Sequence, residues 1–406
     1  MTFPTTAQLP FFKTQALPLE LPHRLERLEN KQRRLAGRFS LVPVIDLNSY
    51  RFHAVYDWIS FKMHLGRPTQ VQHVQRELRK FLDRDSHIHA EDMTAGSVFT
   101  TCTIKIQEPA NLTAIHTIHR ALAAAFGEAL RSRVTGLEVS LDVYPREPSD
   151  NARSALLGAL QRTIWTDRDV WAKADSRPRS THGRGAQATR KLSPSPELDD
   201  FNRSRLAAEN HEHPAIDGTM YLGAKSDAVM IRLMDKVIDT QRPDGTYLDL
   251  PENKKRVRVE TTITGTELER LGVSDIPSLQ NLRPEDLQRH YFRFMLPTFA
   301  HCSPPTTRTA MLGLVKDTAR ANTYLRSGVT GLASMEAGKK KATAKAARGM
   351  TRVLRTRGTG RARKRGNHRL RPPLVAWAEM NRNAHVALVN LGKREKTARA
   401  RMRRQE

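Results

Sequence analysis

The residues best suited to chemistry lie between Gly218 and Gly272, in the runs GTMYLGAKSDAVMIRLMDKVID and KKRVRVETTITGTELERLG. Charged groups interrupt apolar stretches there: Arg232, Asp235 and Lys236 in the first, Arg258 and Glu260 in the second. A core wants such stretches unbroken, so charges set into them suggest a buried polar site. A carboxylate and several cations on rigid strands can grip a metal ion and a phosphate together. The alternative is a cross-strand ladder of ion pairs among Arg256, Arg258 and Glu260. Asp235 and Lys236 are adjacent, so on a strand they point to opposite faces. Tyr221 precedes Leu222-Gly223, where glycine permits a tight turn or close approach of backbone to a ligand.

A further strand-like run, GLEVSLDVYP, places Glu138, Ser140 and Asp142 on one face and Leu137, Val139, Leu141 and Val143 on the other. By rise alone Glu138 and Asp142 stand about 13 Å apart, too far to share one ion without a bulge or twist. A solvated outer face would carry the same pattern. His87-Ile88-His89 has the spacing of a metal-binding pair, but it follows RDS and precedes AEDM with no apolar strand around it. His211-Glu212-His213 sits in a polar stretch, and His116 and His119 read as packing or surface residues of a helix. The candidate nucleophiles are seven tyrosines, at 50, 56, 144, 221, 247, 291 and 324. A tyrosine that attacks a phosphodiester becomes covalently joined to the nucleic acid, and it needs a metal or cations to offset phosphate charge. No GxSxG and no GxxxxGK[ST] occurs, so neither a serine elbow nor ATP-driven unwinding is indicated.

Those residues need a scaffold, and the periodicity supplies one. Strands are predicted at AVYDWISFKMHL, SVFTTCTIKIQEP, GLEVSLDVYP, twice between Thr219 and Ile238, and at Arg256 to Ile263. Helices are predicted at TQVQHVQRELRKFLDR, at NLTAIHTIHRALAAAFGEALRSR with Asn111 or Thr113 as cap, at NARSALLGALQRTIW, at TELERLGV, at RPEDLQRHYFRFMLPTF and over 306–336. The expected class is α+β: two small antiparallel sheet-plus-helix units side by side, then a helical region and a basic, partly disordered tail. The expected divisions are an irregular or weakly helical segment 1–50, a first unit 51–175, a polar linker 176–215, and a second unit 216–300 holding the site. A helical region 301–337 and a nucleic-acid-binding tail 338–406 complete them. Within the tail, GTGRARKRGNHRLRPP is too charged and glycine-rich to fold alone, whereas LVAWAEMNRNAHVALVNL suits a short helix.

Charge narrows the partners. The 406 residues carry a formal +26, and 22 of the 68 Lys and Arg lie in 338–406 beside three acids. Such an excess attracts DNA, RNA or an anionic surface. Two cysteines far apart give neither a zinc spacing nor a disulfide framework. No apolar run approaches a membrane span, and MTFPTTAQLPFFKTQALP lacks the layout of a secretory signal, so a cytoplasmic protein with no membrane partner is expected. Aromatics are only 6% and do not cluster on one strand, which weighs against an RNA-stacking platform.

YDWISF, GLEVSLDVYP, TMYLGAKSDAVMIRLMDK and RVRVETTI, in that order, resemble the replication initiation factors of filamentous phages. The set is also similar to the initiators of rolling-circle plasmids and the related relaxases of conjugative elements. The resemblance covers roughly residues 54–275. On it, Asp57, Trp58 and Ser60 match the opening strand; Glu138 and Asp142 the acidic strand; Tyr221, Gly223 and Ser226 a YxG…S element; Arg232 and Lys236 the next strand; Arg258 and Glu260 the last. It implies a DNA replication initiator that binds an origin as single strand and duplex and nicks one strand by metal-assisted tyrosine attack. A host helicase is an expected recruit. The implied ligands of Mg²⁺ or Mn²⁺ are Glu138, Asp142 and Glu260, with Tyr221, Arg232 and Lys236 as catalytic groups. Met234 stands where the family carries a tyrosine, so Tyr221, then Tyr247, is the substitute. A non-catalytic DNA-binding protein on the same scaffold, or a relaxase, is the alternative.

Overall fold

The computed structural model describes residues 3–12, 17–29, 32–171, 173–183, 188–194, 208–241, 247–303, 307–356, 374–402 and 404. In chain order the elements begin with β1 (Thr6–Leu9), β2 (Leu19–Arg27), β3 (Phe39–Pro43), β4 (Tyr50–Thr69), α1 (Val71–Leu78), β5 (His87–Ala90) and β6 (Phe99–Gln107). Next come α2 (Leu112–Phe126), β7 (Glu128–Pro145), α3 (Asp150–Thr163), β8 (Ile164–Trp165), β9 (Arg179–His182), β10 (Ala188–Lys191), β11 (Thr219–Leu222) and β12 (Val229–Lys236). Then follow β13 (Ile238–Gln241), β14 (Tyr247–Asp249), β15 (Arg256–Thr264), α4 (Thr266–Arg270), α5 (Pro284–Tyr291), β16 (Arg293–Phe299), α6 (Arg308–Thr356), β17 (Leu374–Ala376) and α7 (Ala378–Met402).

The class is α+β, with antiparallel sheets and helices. The strands of 51–175 and of 216–300 do not stand as separate sheets. β7 pairs with β15 from Gly136 to Val143, which joins them into one nine-stranded sheet, β10-β9-β11-β12-β15-β7-β4-β6-β5. β9 and β10 fall within 176–215, expected as a linker, and extend that sheet. A second sheet runs β1-β2-β3-β16-β17, with β8 on β16. β13 and β14 form a hairpin.

Three local expectations are corrected. The segment 1–50, expected as irregular or weakly helical, carries three strands among its described residues: LELPHRLER, for one, buries Leu21 and His23 on alternate positions and pairs as β2. FRFMLPTF buries Phe294, Leu296 and Phe299 and forms β16 rather than prolonging a helix. EALRSR belongs to β7, because the preceding helix stops at Gly127 (φ 74°). A Cβ on Gly66 would stand 3.3 Å from Gly127 Cα, so the two backbones meet where side chains have no room. Asn111 is the cap of α2, accepting from the Ala114 amide at 2.8 Å.

In the tail, residues 338–356 continue α6, while the segment GTGRARKRGNHRLRPP lies outside the described residues. Helix α7 buries Met380, Ala384, Leu388 and Leu391 against the body. Its buried Glu395 accepts the Leu112 amide on both oxygens at 3.0 Å and so caps α2. No helix among the described residues is long and apolar enough to cross a membrane.

Helix α3 lies between the two sheets and is buried along most of its length. Arg162 near its end is fully buried and has no carboxylate partner among the described residues; it donates to the carbonyls of Leu325 (2.7 Å), Gly158 (3.0 Å) and Gln8 (2.7 Å). Leu325 ends the first half of α6, so the guanidinium caps a helix C-terminus whose carbonyls lack helical partners. Gly328 breaks α6 there at φ 72°, and a Cβ on it would stand 2.5 Å from Arg162 Cα. Gly328→Ala should therefore destabilise by at least about 1–3 kcal/mol, read as a lower thermal midpoint; an unchanged melt would contradict this packing.

Candidate active site

The nine-stranded sheet has one apolar and one polar face. Leu137, Val139, Leu141, Val257, Val259 and Ile263 fill the first and are buried. On the other, the ladder sets Tyr221 opposite Arg232, Arg232 opposite Glu260, and Met234 opposite Arg258. Arg258 in turn faces Asp142, and Glu138 faces Thr262 on one side and Trp58 on the other. Directly opposed residues share a face, so most of the charges singled out in the sequence meet on one surface. Asp235 points the other way and pairs with Arg153 of α3 at 2.9 Å.

One residue reaches that surface by a bulge. Along β4 the buried apolar positions run Ala54, Tyr56, then Ile59, Phe61, Met63, Leu65, a slip of one residue. The register with β7 shifts between Tyr56 and Trp58, and Asp57 is the extra residue. Its carbonyl accepts the Glu108 amide at 2.7 Å. Glu108 adopts φ 45°, a left-handed conformation that costs a non-glycine residue energy, and its carboxylate pairs with Arg84 at 2.7 Å. Carboxylate oxygens of Asp57, Glu138 and Glu260 then lie within 4.8 Å of one another. The sequence reading matched Asp57 to the opening strand but did not place it among the acids; the slip in alternation was the available signal.

The cluster is compensated by arginines. Arg232 Nη2 reaches Glu138 at 2.8 Å and Glu260 at 2.5 Å. Arg258 reaches Asp57 at 2.6 Å and holds Asp142 by two bonds of 2.5 and 2.8 Å. Arg256 contacts Asp142 at 2.9 Å. Asp142, expected as a ligand beside Glu138 and Glu260, is thus taken up by two guanidiniums and is not one of the three converging acids. Burial, aided by the charge of Glu260, pushes the Glu138 carboxyl up to about 7 against the pull of Arg232. Burial also raises Glu260. Burial would raise Asp57 as well, but Arg258, with help from Lys236 and Arg232, brings it below the ordinary carboxylate range.

A cavity of about 520 Å³ opens over the cluster, lined by Asp57, Glu138, Arg232, Trp58, Lys105 and Lys236 among others. Lys105 lies over the Trp58 ring at 3.9 Å. Neither Lys105 nor Lys236 has a carboxylate partner within ion-pair distance among the described residues. Burial, with nearby arginines, lowers both ammonium groups from their ordinary value. Tyr221 stands across from Arg232, with Arg179 over its ring at 4.8 Å. Tyr247 begins β14, and its side chain lies outside the described residues. The pair His87 and His89 does sit on a strand, β5, exposed and two strands from Asp57, opposite Lys105 and Thr103. His211 and His213 face inward, toward Ser327 and Arg162.

Three carboxylates offer hard oxygen donors of the kind Mg²⁺ and Mn²⁺ prefer. Glu260 Oε2 is buried, touches Arg232 and receives no aligned hydrogen bond, so it has a lone pair to give. The residues therefore fit a divalent cation held by Asp57, Glu138 and Glu260. Because Glu138 must lose its proton to ligate, Mn²⁺ should bind more tightly as pH rises through about 7. The expected reading is a larger Mn²⁺-induced rise in thermal midpoint at pH 8 than at pH 6; a pH-independent rise would contradict it. Glu108→Gly should keep Mn²⁺ binding, since glycine accepts the left-handed backbone and retains the amide that holds Asp57. Glu108→Pro, with neither, should weaken it about tenfold or more by calorimetry.

Neither a scan against protein-family models nor a search of curated proteins finds a match. Among solved structures, the chain is similar to a rolling circle replication initiator protein from Geobacillus stearothermophilus, at 11% identity and a TM-score of 0.29. The overlap covers 66% of this chain and 97% of that one. At that TM-score the likeness carries no argument about chemistry, and the reading of the site rests on its own residues.

Proposed function

We propose that the polar face of the nine-stranded sheet is a metal-assisted phosphodiester-transfer centre, and that the protein initiates DNA replication by nicking one strand at an origin. The observation that carries this reading is a single cavity that brings acids and cations together. Asp57 and Glu138 line it and converge with Glu260, and it is also lined by Lys105 and Lys236, which have no carboxylate partner within ion-pair distance among the described residues. A converging set of acids suits a divalent cation, and half-buried cations without carboxylates suit a phosphate. A bound divalent ion would supply charge neutralisation at the phosphate.

The chain's own groups do the rest. Lys105 and Lys236 bind the phosphate, and Arg232, anchored by Glu138 and Glu260, adds a guanidinium beside Tyr221. The Tyr221 hydroxyl attacks phosphorus and loses its proton. The bond from phosphorus to the 3′ oxygen breaks, and that oxygen takes up a proton to leave a 3′ hydroxyl. The 5′ phosphate stays on Tyr221, which preserves the bond for religation.

A second reading is a DNA-binding protein that no longer cuts. Met234 favours it: it lies on the same face between Arg232 and Lys236, opposite Arg258, at the position where the resembling family carries a tyrosine. Either protein would be drawn to DNA by the net charge of +26.

The deciding experiment incubates the protein with supercoiled DNA carrying its own neighbouring genomic region and Mg²⁺ or Mn²⁺. Relaxation and a 5′ adduct mapped by mass spectrometry to Tyr221 are expected. Tyr221→Phe should abolish the adduct, and Glu260→Gln should lower nicking by about 10²-fold or more while leaving binding in place. Tight binding with neither nick nor adduct would select the second reading.

A further inference from the structure

Two more cavities adjoin the one over the carboxylates, and the three follow one another along the polar face. Glu108 lines the first and the second, which holds about 440 Å³. Tyr144 and Arg256 line the second and the third, which holds about 500 Å³. Leu391 and Arg394 of α7 wall the second. N-terminal to Trp58, this edge of β4 has no strand beside it among the described residues, and α7 packs there, with Arg394 donating to the Ala54 carbonyl. The third cavity ends at Arg51 and Lys254. Both are exposed, and neither has an ion-pair partner among the described residues. The Arg51 guanidinium rests on the Tyr144 ring at 4.8 Å, and Arg256 on the same ring at 5.6 Å.

We infer that these cavities form a groove for a single-stranded nucleic acid, running from the carboxylate cluster past α7 to a distal anchor at Arg51, Tyr144 and Lys254. This rests on the reading of the carboxylate cavity as a phosphodiester site and adds the path of the substrate away from it. Glu138 and Tyr144 are six residues apart on one strand, about 20 Å. That span holds about six nucleotides at the roughly 3.4 Å spacing of a stacked strand, fewer if the strand is extended. The occupant is single-stranded because the lining offers aromatic and guanidinium planes, which stack on bases only when these are unpaired. The unpaired cations at the far end supply phosphate contacts without reading sequence.

The test uses the full chain without divalent metal and labelled oligothymidines of about 4 and about 16 nucleotides, followed by fluorescence polarisation. Arg51→Ala combined with Lys254→Ala should weaken the longer strand about tenfold or more and leave the shorter unchanged. The salt dependence for the longer strand should fall by about 1.4 in slope, the contribution of two phosphate contacts. An unchanged affinity for the longer strand, an equal loss for both lengths, or a duplex that competes as well as the single strand would overturn the groove and leave the carboxylate site standing. A wild-type chain that binds neither oligonucleotide would overturn both.

Discussion

Three buried carboxylates and a partly buried fourth on one sheet face must be neutralised, and the architecture around them follows from that constraint. Asp57, Glu138, Asp142 and Glu260 come from three strands, and Arg232, Arg256 and Arg258 from two. Ions removed from water each lose several kcal/mol of solvation, which attraction recovers only when geometry is good. Arg258 meets that requirement by joining Asp142, Asp57 and Glu260, and its guanidinium is held above its ordinary pKa by those partners despite burial. Such a network requires β4, β7, β15 and β12 to stay in one register, because a one-residue slip would turn every charge into the apolar layer.

The network is not symmetrical, and its asymmetry gives the site its character. Asp142 takes two arginines, while Asp57, Glu138 and Glu260 share Arg232 and one arm of Arg258. The second group shares less positive charge, and burial, with the nearby charge of Glu260, holds the Glu138 proton up to about 7 against the pull of Arg232. Beside these perturbed carboxyls, Lys105 and Lys236 have no carboxylate partner within ion-pair distance among the described residues. The bulge at Asp57 completes the cluster, and the left-handed Glu108 that anchors the bulge is local strain placed next to the carboxylates.

Helix α7, near the end of the chain, packs against the body. α7 covers the free edge of β4, caps α2 through Glu395 and sets Arg394 at the rim of the polar face. An uncovered edge with unpaired backbone groups invites misassociation, so the helix serves the sheet while adding a cation to its surface.

Much of the fold was legible in the chain itself. The alternation of GLEVSLDVYP, VMIRLMDK and RVRVETTI settled the strands that carry the site, and it put Glu138, Arg232, Lys236, Arg258 and Glu260 each on a definable face. Charge raised the expectation of a polyanionic partner. Other features depended on contacts distant in sequence. RFMLPTF becomes a strand by pairing with β3 from some 250 residues away, whereas LELPHRLER pairs with β1 and β3 close by in the chain. The choice of Asp57 over Asp142 rests on which acid the arginines occupy, and that follows from cross-strand register and one bulge. Periodicity along a chain assigns each side chain to a face; only the packing of strands against one another decides which of those side chains touch.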